Sequence, residues 1–213
     1  MKTLLLAGAT GLVGRHALRL ALADTRVERV VAPTRRPLPP HPKLLNPIED
    51  FAHLPPHAPW WKVDGVVCAL GTTMAKAGSR AAFEAVDYEM PLTVARLALR
   101  HGAQAFALNS ALGANPDSRV FYSRVKGELE QSLRAMKNPG YLSLTFVRPG
   151  LIGGERAENR RAESLTILAV RLLTPFLPQR YRLVPAERIA HHLVEAALAA
   201  TPGVTVLESE QLQ

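Results

Sequence analysis

The chain has 213 residues, 47% hydrophobic and 21% charged, which is the length of one domain with matter for a core and excludes a disordered or collagen-like chain. No run approaches the roughly 18 consecutive apolar residues of a membrane span, so no membrane contact is expected. The net charge is +8, but the basic residues from Arg119 to Arg188 are interleaved with Asp117, Glu128, Glu130, Glu155, Glu158, Glu163 and Glu187, which reads as a solvated surface rather than a nucleic-acid stripe.

Glycines interrupt the apolar N-terminus, so no signal peptide is expected and the location expected is the cytoplasm. A lone cysteine, Cys68, leaves no internal disulfide. His41, His53 and His57 lack cysteine or paired acidic companions at ligand spacing, so no metal site is expected.

Lys2 to Ala7 reads as a strand buried on both faces, Leu12 to Ala23 as a helix by its apolar spacing, and Val27 to Ala32 as a second strand. Residues 33–59 hold nine of the 17 prolines, which predicts an extended surface connection with at most a short strand near Lys43 to Leu45. Asp64 to Leu70 is again strand-like, and Gly78 to His101 is helical with a break before Pro91. Gln104 to Asn109 reads as a strand and Ser118 to Lys137 as a long helix. Leu142 to Val147 follows as a strand, Ala162 to Leu173 and Pro185 to Ala200 as helices, and Val204 to Leu207 as a last strand. This alternation predicts an α/β fold with a doubly wound, Rossmann-like parallel sheet, as a single domain with a small C-terminal substrate region from about residue 150 to 200. Glu155 to Glu163, with three arginines, reads as a charged flap or a solvated connection.

Gly8-Ala9-Thr10-Gly11-Leu12-Val13-Gly14 stands directly after the first strand and opens the first helix, the place of a dinucleotide-binding turn. Gly8 permits the tight turn, Gly11 lets backbone approach a pyrophosphate and Gly14 lets helix and strand pack closely. The N–H groups at Thr10 to Val13 face the anion. After the second strand an NAD site presents a carboxylate to the ribose. This chain presents Arg35 and Arg36, which suit a 2′-phosphate and predict NADP(H) in preference to NAD(H).

Tyr122 and Lys126 lie one helical turn apart on one face. A lysine ammonium beside a phenol favours the phenolate, so Tyr122 is expected to exchange a proton with a carbonyl or alcohol oxygen. Ser110, closing the strand before it, is expected to orient and polarise that oxygen.

These segments, with Cys68-Ala69-Leu70-Gly71-Thr72-Thr73, Val86-Asp87, Ser110-Ala111-Leu112-Gly113-Ala114, the run Tyr122 to Glu130 and Arg148-Pro149-Gly150, resemble atypical short-chain dehydrogenase/reductases. The likeness is to the Tat-interacting-protein branch and its bacterial relatives described as nucleoside-diphosphate-sugar-epimerase-like. The resemblance covers nearly the whole chain. It implies Leu70, Gly71 and Thr72 beside the nicotinamide ribose, Lys126 on that ribose, and Pro149, Gly150 and Leu151 near the carboxamide. It implies Ser110, Tyr122 and Lys126 as the catalytic set, acting on a small carbonyl or alcohol, and a homodimer. Only about 60 residues follow Gly150, too few for a nucleotide-sugar region. An NADP(H)-sensing regulator that binds a protein partner without turnover is the alternative.

Overall fold

The computed structural model describes residues 1–136, 141–153 and 178–213. In chain order the elements are β1 (Lys2–Ala7), α1 (Leu12–Ala23), β2 (Val27–Val31), β3 (Leu44–Leu45), β4 (Gly65–Cys68), α2 (Met74–Ala77), α3 (Arg80–Glu84), α4 (Met90–Arg100), β5 (Ala105–Asn109), α5 (Phe121–Arg134), β6 (Ser143–Arg148), β7 (Leu151–Gly153), β8 (Leu183–Pro185), α6 (Ala186–Ala199) and β9 (Gly203–Glu208). Seven strands pair in the order β3-β2-β1-β4-β5-β6-β9, every pair parallel. This is the expected doubly wound sheet, and its order reverses at β1, so the crevice between the ends of β1 and β4 is the switch point where such folds take ligands.

The two-residue period of the strands divides the core. Leu4 and Leu6 of β1 face a layer built by α1 and α6, with Ala17, Ile189 and Leu193. Leu5 and Ala7 face the other layer, with Leu92 and Val94 of α4 and Leu129 and Leu133 of α5. Each fully buried Leu or Ile contributes about 1.5–3 kcal/mol by leaving water. Trp61 ends the proline-rich connection fully buried, its indole N–H donating to Pro55 O at 2.8 Å.

Three details differ from the sequence reading. The helical stretch before Pro91 does not break: residues 85–89 form a π-helical turn, in which Met90 N–H bonds Ala85 O and Pro91, lacking an N–H, follows at the start of α4. Helix α5 starts at Phe121, because Asn115 and Ser118 side chains accept from Asp117 N and Val120 N and hold a turn instead. Strands β7 and β8 form a separate parallel pair. The helix expected over 162–173 and the charged flap at 155–163 lie outside the described residues.

Candidate functional site

Because the strands are parallel, the ends of β1, β4, β5 and β6 meet at one edge of the sheet. At β1 the chain turns through Gly8, whose φ of +92° is left-handed and whose absent Cβ would stand 2.7 Å from the Ala69 carbonyl carbon. A Cβ on Gly14 would stand 2.0 Å from Gly8 O, so Gly8 and Gly14 are demanded by the protein's own backbone. Gly11 is different. Its nearest obstacle would be Gly8 O at 3.3 Å, and Thr10 and Gly11 are exposed. Gly11 caps α1 without a side-chain hydrogen bond, and the first turn holds no acid, so uncapped N–H groups of a 12-residue helix open on an exposed glycine surface. The turn therefore fits a dinucleotide pyrophosphate.

Beyond β2, the side chain of Asn46 braces the chain: it donates to Ala32 O at 2.6 Å and Thr34 Oγ1 at 2.8 Å, and accepts from Leu38 N at 2.8 Å. Thr34 in turn donates to Arg36 O at 2.7 Å. Arg35 and Arg36 stand exposed on this fixed loop, on the side of β1 where an adenosine ribose lies in a switch-point site. Asp50 feels the charge of Arg35, and the Glu49 amide bonds Thr34 O beside it.

Past β4, Leu70-Gly71-Thr72 runs along the same edge. Thr72 N–H donates to Asp87 Oδ2 at 2.7 Å, and Asp87 Oδ1 lies 2.7 Å from Lys126 Nζ. Asp87 and Lys126 are both buried. Burial would lower the lysine, but the charge and hydrogen bond of Asp87, with smaller contributions from Tyr122 and Cys68, together outweigh it, so its pKa is raised. Tyr122, one turn earlier on α5, is held by the buried Phe83 ring at 5.7 Å. Burial pushes its phenol above the ordinary value; Lys126 pulls it down and Asp87 pushes it up again. Lys126 does lower the phenol, as expected, but burial outweighs it with a smaller contribution from Asp87, so the net shift is upward.

Ser110 also departs from expectation. It is buried, and its hydroxyl donates to Glu130 Oε1 at 2.6 Å. Glu130 is held by Arg148 through Nε at 3.0 Å and Nη2 at 2.6 Å, and Arg148 Nη1 reaches Glu208 at 2.9 Å. Successive residues of an extended chain point to opposite sides, so it is Ala111 that lines the cavity. That cavity, of about 350 Å³, is walled by Ala111, Leu112, Tyr122, Pro149, Gly150, Leu151 and Tyr181. Leu112 N–H bonds Pro149 O at 2.8 Å, which carries the two strand ends together past the sheet.

Tyr122, Pro149, Gly150 and Leu151 thus meet at one cavity, with Lys126 behind it and Ser110 turned away. Asp87, Tyr181 and Leu112 escaped the sequence reading of the site. For Asp87 a signal existed: Phe83, Asp87 and Pro91, four residues apart, are all buried, so an acid interrupts an apolar helical stripe.

No family model matches the chain. Among solved structures, MoeE5 in complex with UDP-glucose and NAD superposes with a TM-score of 0.71 at 15% identity, over 96% of this chain and 75% of that one. The UDP-Glc/GlcNAc 4-epimerase of Campylobacter jejuni gives 0.68 at 13%, over 100% and 82%, and the human epimerase family protein SDR39U1 with NADPH gives 0.62 at 18%, over 97% and 74%. The chain therefore shares the Rossmann-like fold of these structures. In sequence, the mitochondrial protein fmp52 of Aspergillus clavatus is 32% identical, spanning 100% of this chain and 94% of its own length. The mitochondrial FMP52 of Debaryomyces hansenii is 33% identical over 93% and 90%. The expectation of a cytoplasmic protein is overturned by these relatives, all named as mitochondrial. No helix among the described residues is long and apolar enough to cross a membrane. With identity at this level across nearly the whole of both chains, the chain belongs to the Fmp52 protein family.

Proposed function

We propose that the protein is an NADP(H)-dependent oxidoreductase that reduces a small carbonyl compound, or oxidises the matching alcohol. The observation that carries this is the meeting, at one sheet edge, of a glycine turn open to a pyrophosphate and a Tyr122–Lys126 pair at an apolar cavity. A bound nicotinamide supplies or accepts the hydride. The residues of the chain do the rest. Gly8, Thr10, Gly11, Leu12, Val13 and Gly14 cradle the pyrophosphate, and Arg35 and Arg36 receive the 2′-phosphate that selects NADP(H). Leu70, Gly71 and Thr72 flank the ribose beside Lys126.

Tyr122 donates its phenolic proton to the carbonyl oxygen as the carbon is reduced, and regains one from water. Ala111, Leu112, Pro149 and Leu151 exclude water and favour an apolar substrate; a cavity of about 350 Å³ suits a molecule well below nucleotide-sugar size. Ser110 supports the site from behind through Glu130.

The test is a titration of nucleotide-free protein with NADPH and NADH, followed by NADPH turnover with a panel of small apolar aldehydes and ketones. Preferential NADPH binding is expected, with turnover that Tyr122→Phe lowers about 10²–10⁴-fold at little change in nucleotide affinity. Failure to bind either nucleotide overturns the reading. Tight binding with no turnover across the panel replaces it by the sensing alternative.

A further inference from the structure

Lys126 and Asp87 form a closed pair between elements far apart in sequence. Asp87 sits in the π-helical turn that joins α3 to α4, and both of its carboxylate oxygens are engaged, one by the Lys126 ammonium and one by the Thr72 amide, each at 2.7 Å. The turn is fixed to α5 a second time, by Tyr88 Oη and Ser132 Oγ at 3.0 Å. Gly71 lies against the pair: a Cβ there would stand 3.3 Å from Asp87 Oδ1 and 3.8 Å from Lys126 Nζ. The charged and titratable groups that face this point are few. Lys126 meets Asp87 from the π-helical turn, Cys68 from β4 and Tyr122 on its own helix, and Tyr122 meets Lys126 and Asp87. The Cys68 thiol, pushed up to about 11 by burial, carries no charge at neutral pH. Among the described residues, Asp87 is therefore the one carboxyl group set against the lysine.

We infer that Asp87 is the positioning residue of the site: it sets Lys126 and the Thr72 loop in place and offsets part of the pull that the ammonium exerts on the Tyr122 proton. With burial as the larger cause, the phenol rests protonated, ready to serve as a proton donor, and the site is poised for carbonyl reduction at neutral pH. Thr72 and Lys126 are two of the groups assigned to the nicotinamide ribose, so one carboxylate coordinates the ribose subsite with the proton-donating residue. This inference rests on the proposed role of Tyr122.

The experiment follows the ultraviolet absorbance of tyrosinate in the full chain without nucleotide or substrate. The chain has four tyrosines, and subtracting the same titration of a Tyr122→Phe partner isolates Tyr122. Asp87→Asn keeps the shape and an acceptor for Thr72 N–H but leaves the ammonium uncancelled, so the Tyr122 midpoint is expected to fall by about one pH unit or more. Asp87→Asn/Lys126→Met removes both charges at similar volume and is expected to return the midpoint to within about half a unit of the wild type. An unchanged or raised midpoint in Asp87→Asn overturns the inference. Should Asp87→Asn not fold, the double variant decides: a midpoint displaced by more than about one unit in either direction overturns it. No turnover enters this readout, so the expected shifts in a protein that reduces nothing would remove the proposed function and leave the electrostatic role of Asp87 standing.

Discussion

Glu130 receives the hydrogen of Ser110 at 2.6 Å and, from the other side, two hydrogens of Arg148. The buried carboxylate thus joins β5, α5 and β6 behind the cavity. Removing its charge leaves Arg148 to Glu208 alone. Glu130→Gln is expected to lower unfolding stability by about 3 kcal/mol, the low end for a broken buried pair because Arg148 keeps some solvent. Ser110→Ala is expected to cost about 1 kcal/mol and to leave turnover within a few-fold of the wild type. Denaturant unfolding and steady-state kinetics of both variants check this; loss of turnover with intact stability in Ser110→Ala would return the serine to the reacting atoms.

The glycine turn separates a folding requirement from a binding requirement. At Gly14 an added Cβ meets the Gly8 carbonyl oxygen at 2.0 Å, whereas at Gly11 the nearest such contact is 3.3 Å. Gly14→Ala is expected to destabilise the protein severely. Gly11→Ala is expected to fold with a melting temperature near the wild type and bind NADPH tenfold or more weakly, about 1.4 kcal/mol. Equal nucleotide affinity in Gly11→Ala would mean that the pyrophosphate does not lie on this turn.

Much of this was legible in the sequence because it depends on short-range rules. Leu4 to Ala7 is apolar at every position, as a strand segment buried on two faces must be, and Gly8 and Gly14 stand where only glycine fits. The direction of Ser110 was not legible. A single-residue alternation decides whether Ser110 or Ala111 faces the cavity, and the residue types at 110 and 111 carry no trace of it. Strands β7 and β8 hold three residues each and pair across a separation of about 30, so neither has a periodicity of its own to read. Asp87 is meaningful only through Lys126 and Thr72, which the fold brings to it.

Arg35 and Arg36 make a prediction about nucleotide choice. Arg35→Ser and Arg36→Ser are each expected to weaken NADPH binding about tenfold, the loss of one charge-assisted hydrogen bond, with NADH affinity unchanged. Equilibrium titrations with both nucleotides check it, and an equal loss for both would assign the arginines to a feature the two share.

The α1–α6 layer carries an acid-sensitive clamp. Arg26 bonds Asp24 and reaches Glu195 of α6, and hydrogen bonds from Arg26 hold both carboxyls below the usual carboxylate range. Depressed carboxyls stabilise the fold above their unfolded values, near pH 4, and that contribution disappears as pH falls through the depressed ones. Arg26→Ala is therefore expected to lower the melting temperature at neutral pH and to converge on the wild type as pH falls through the depressed carboxyls. A difference that persists unchanged at low pH would show that the clamp acts through packing alone.

The Asn46 brace reaches further than the loop it holds. Prolines around it restrict the chain even before folding, so the connection after β2 surrenders little freedom on becoming ordered, and Asn46 finishes the task with three hydrogen bonds. Recognition at Arg35 and Arg36 then proceeds on a surface already in its final shape, where only two side chains must settle. The amides of Thr34, Leu38 and Glu49, each bonded within this loop, would exchange slowly with solvent whether or not a nucleotide is present.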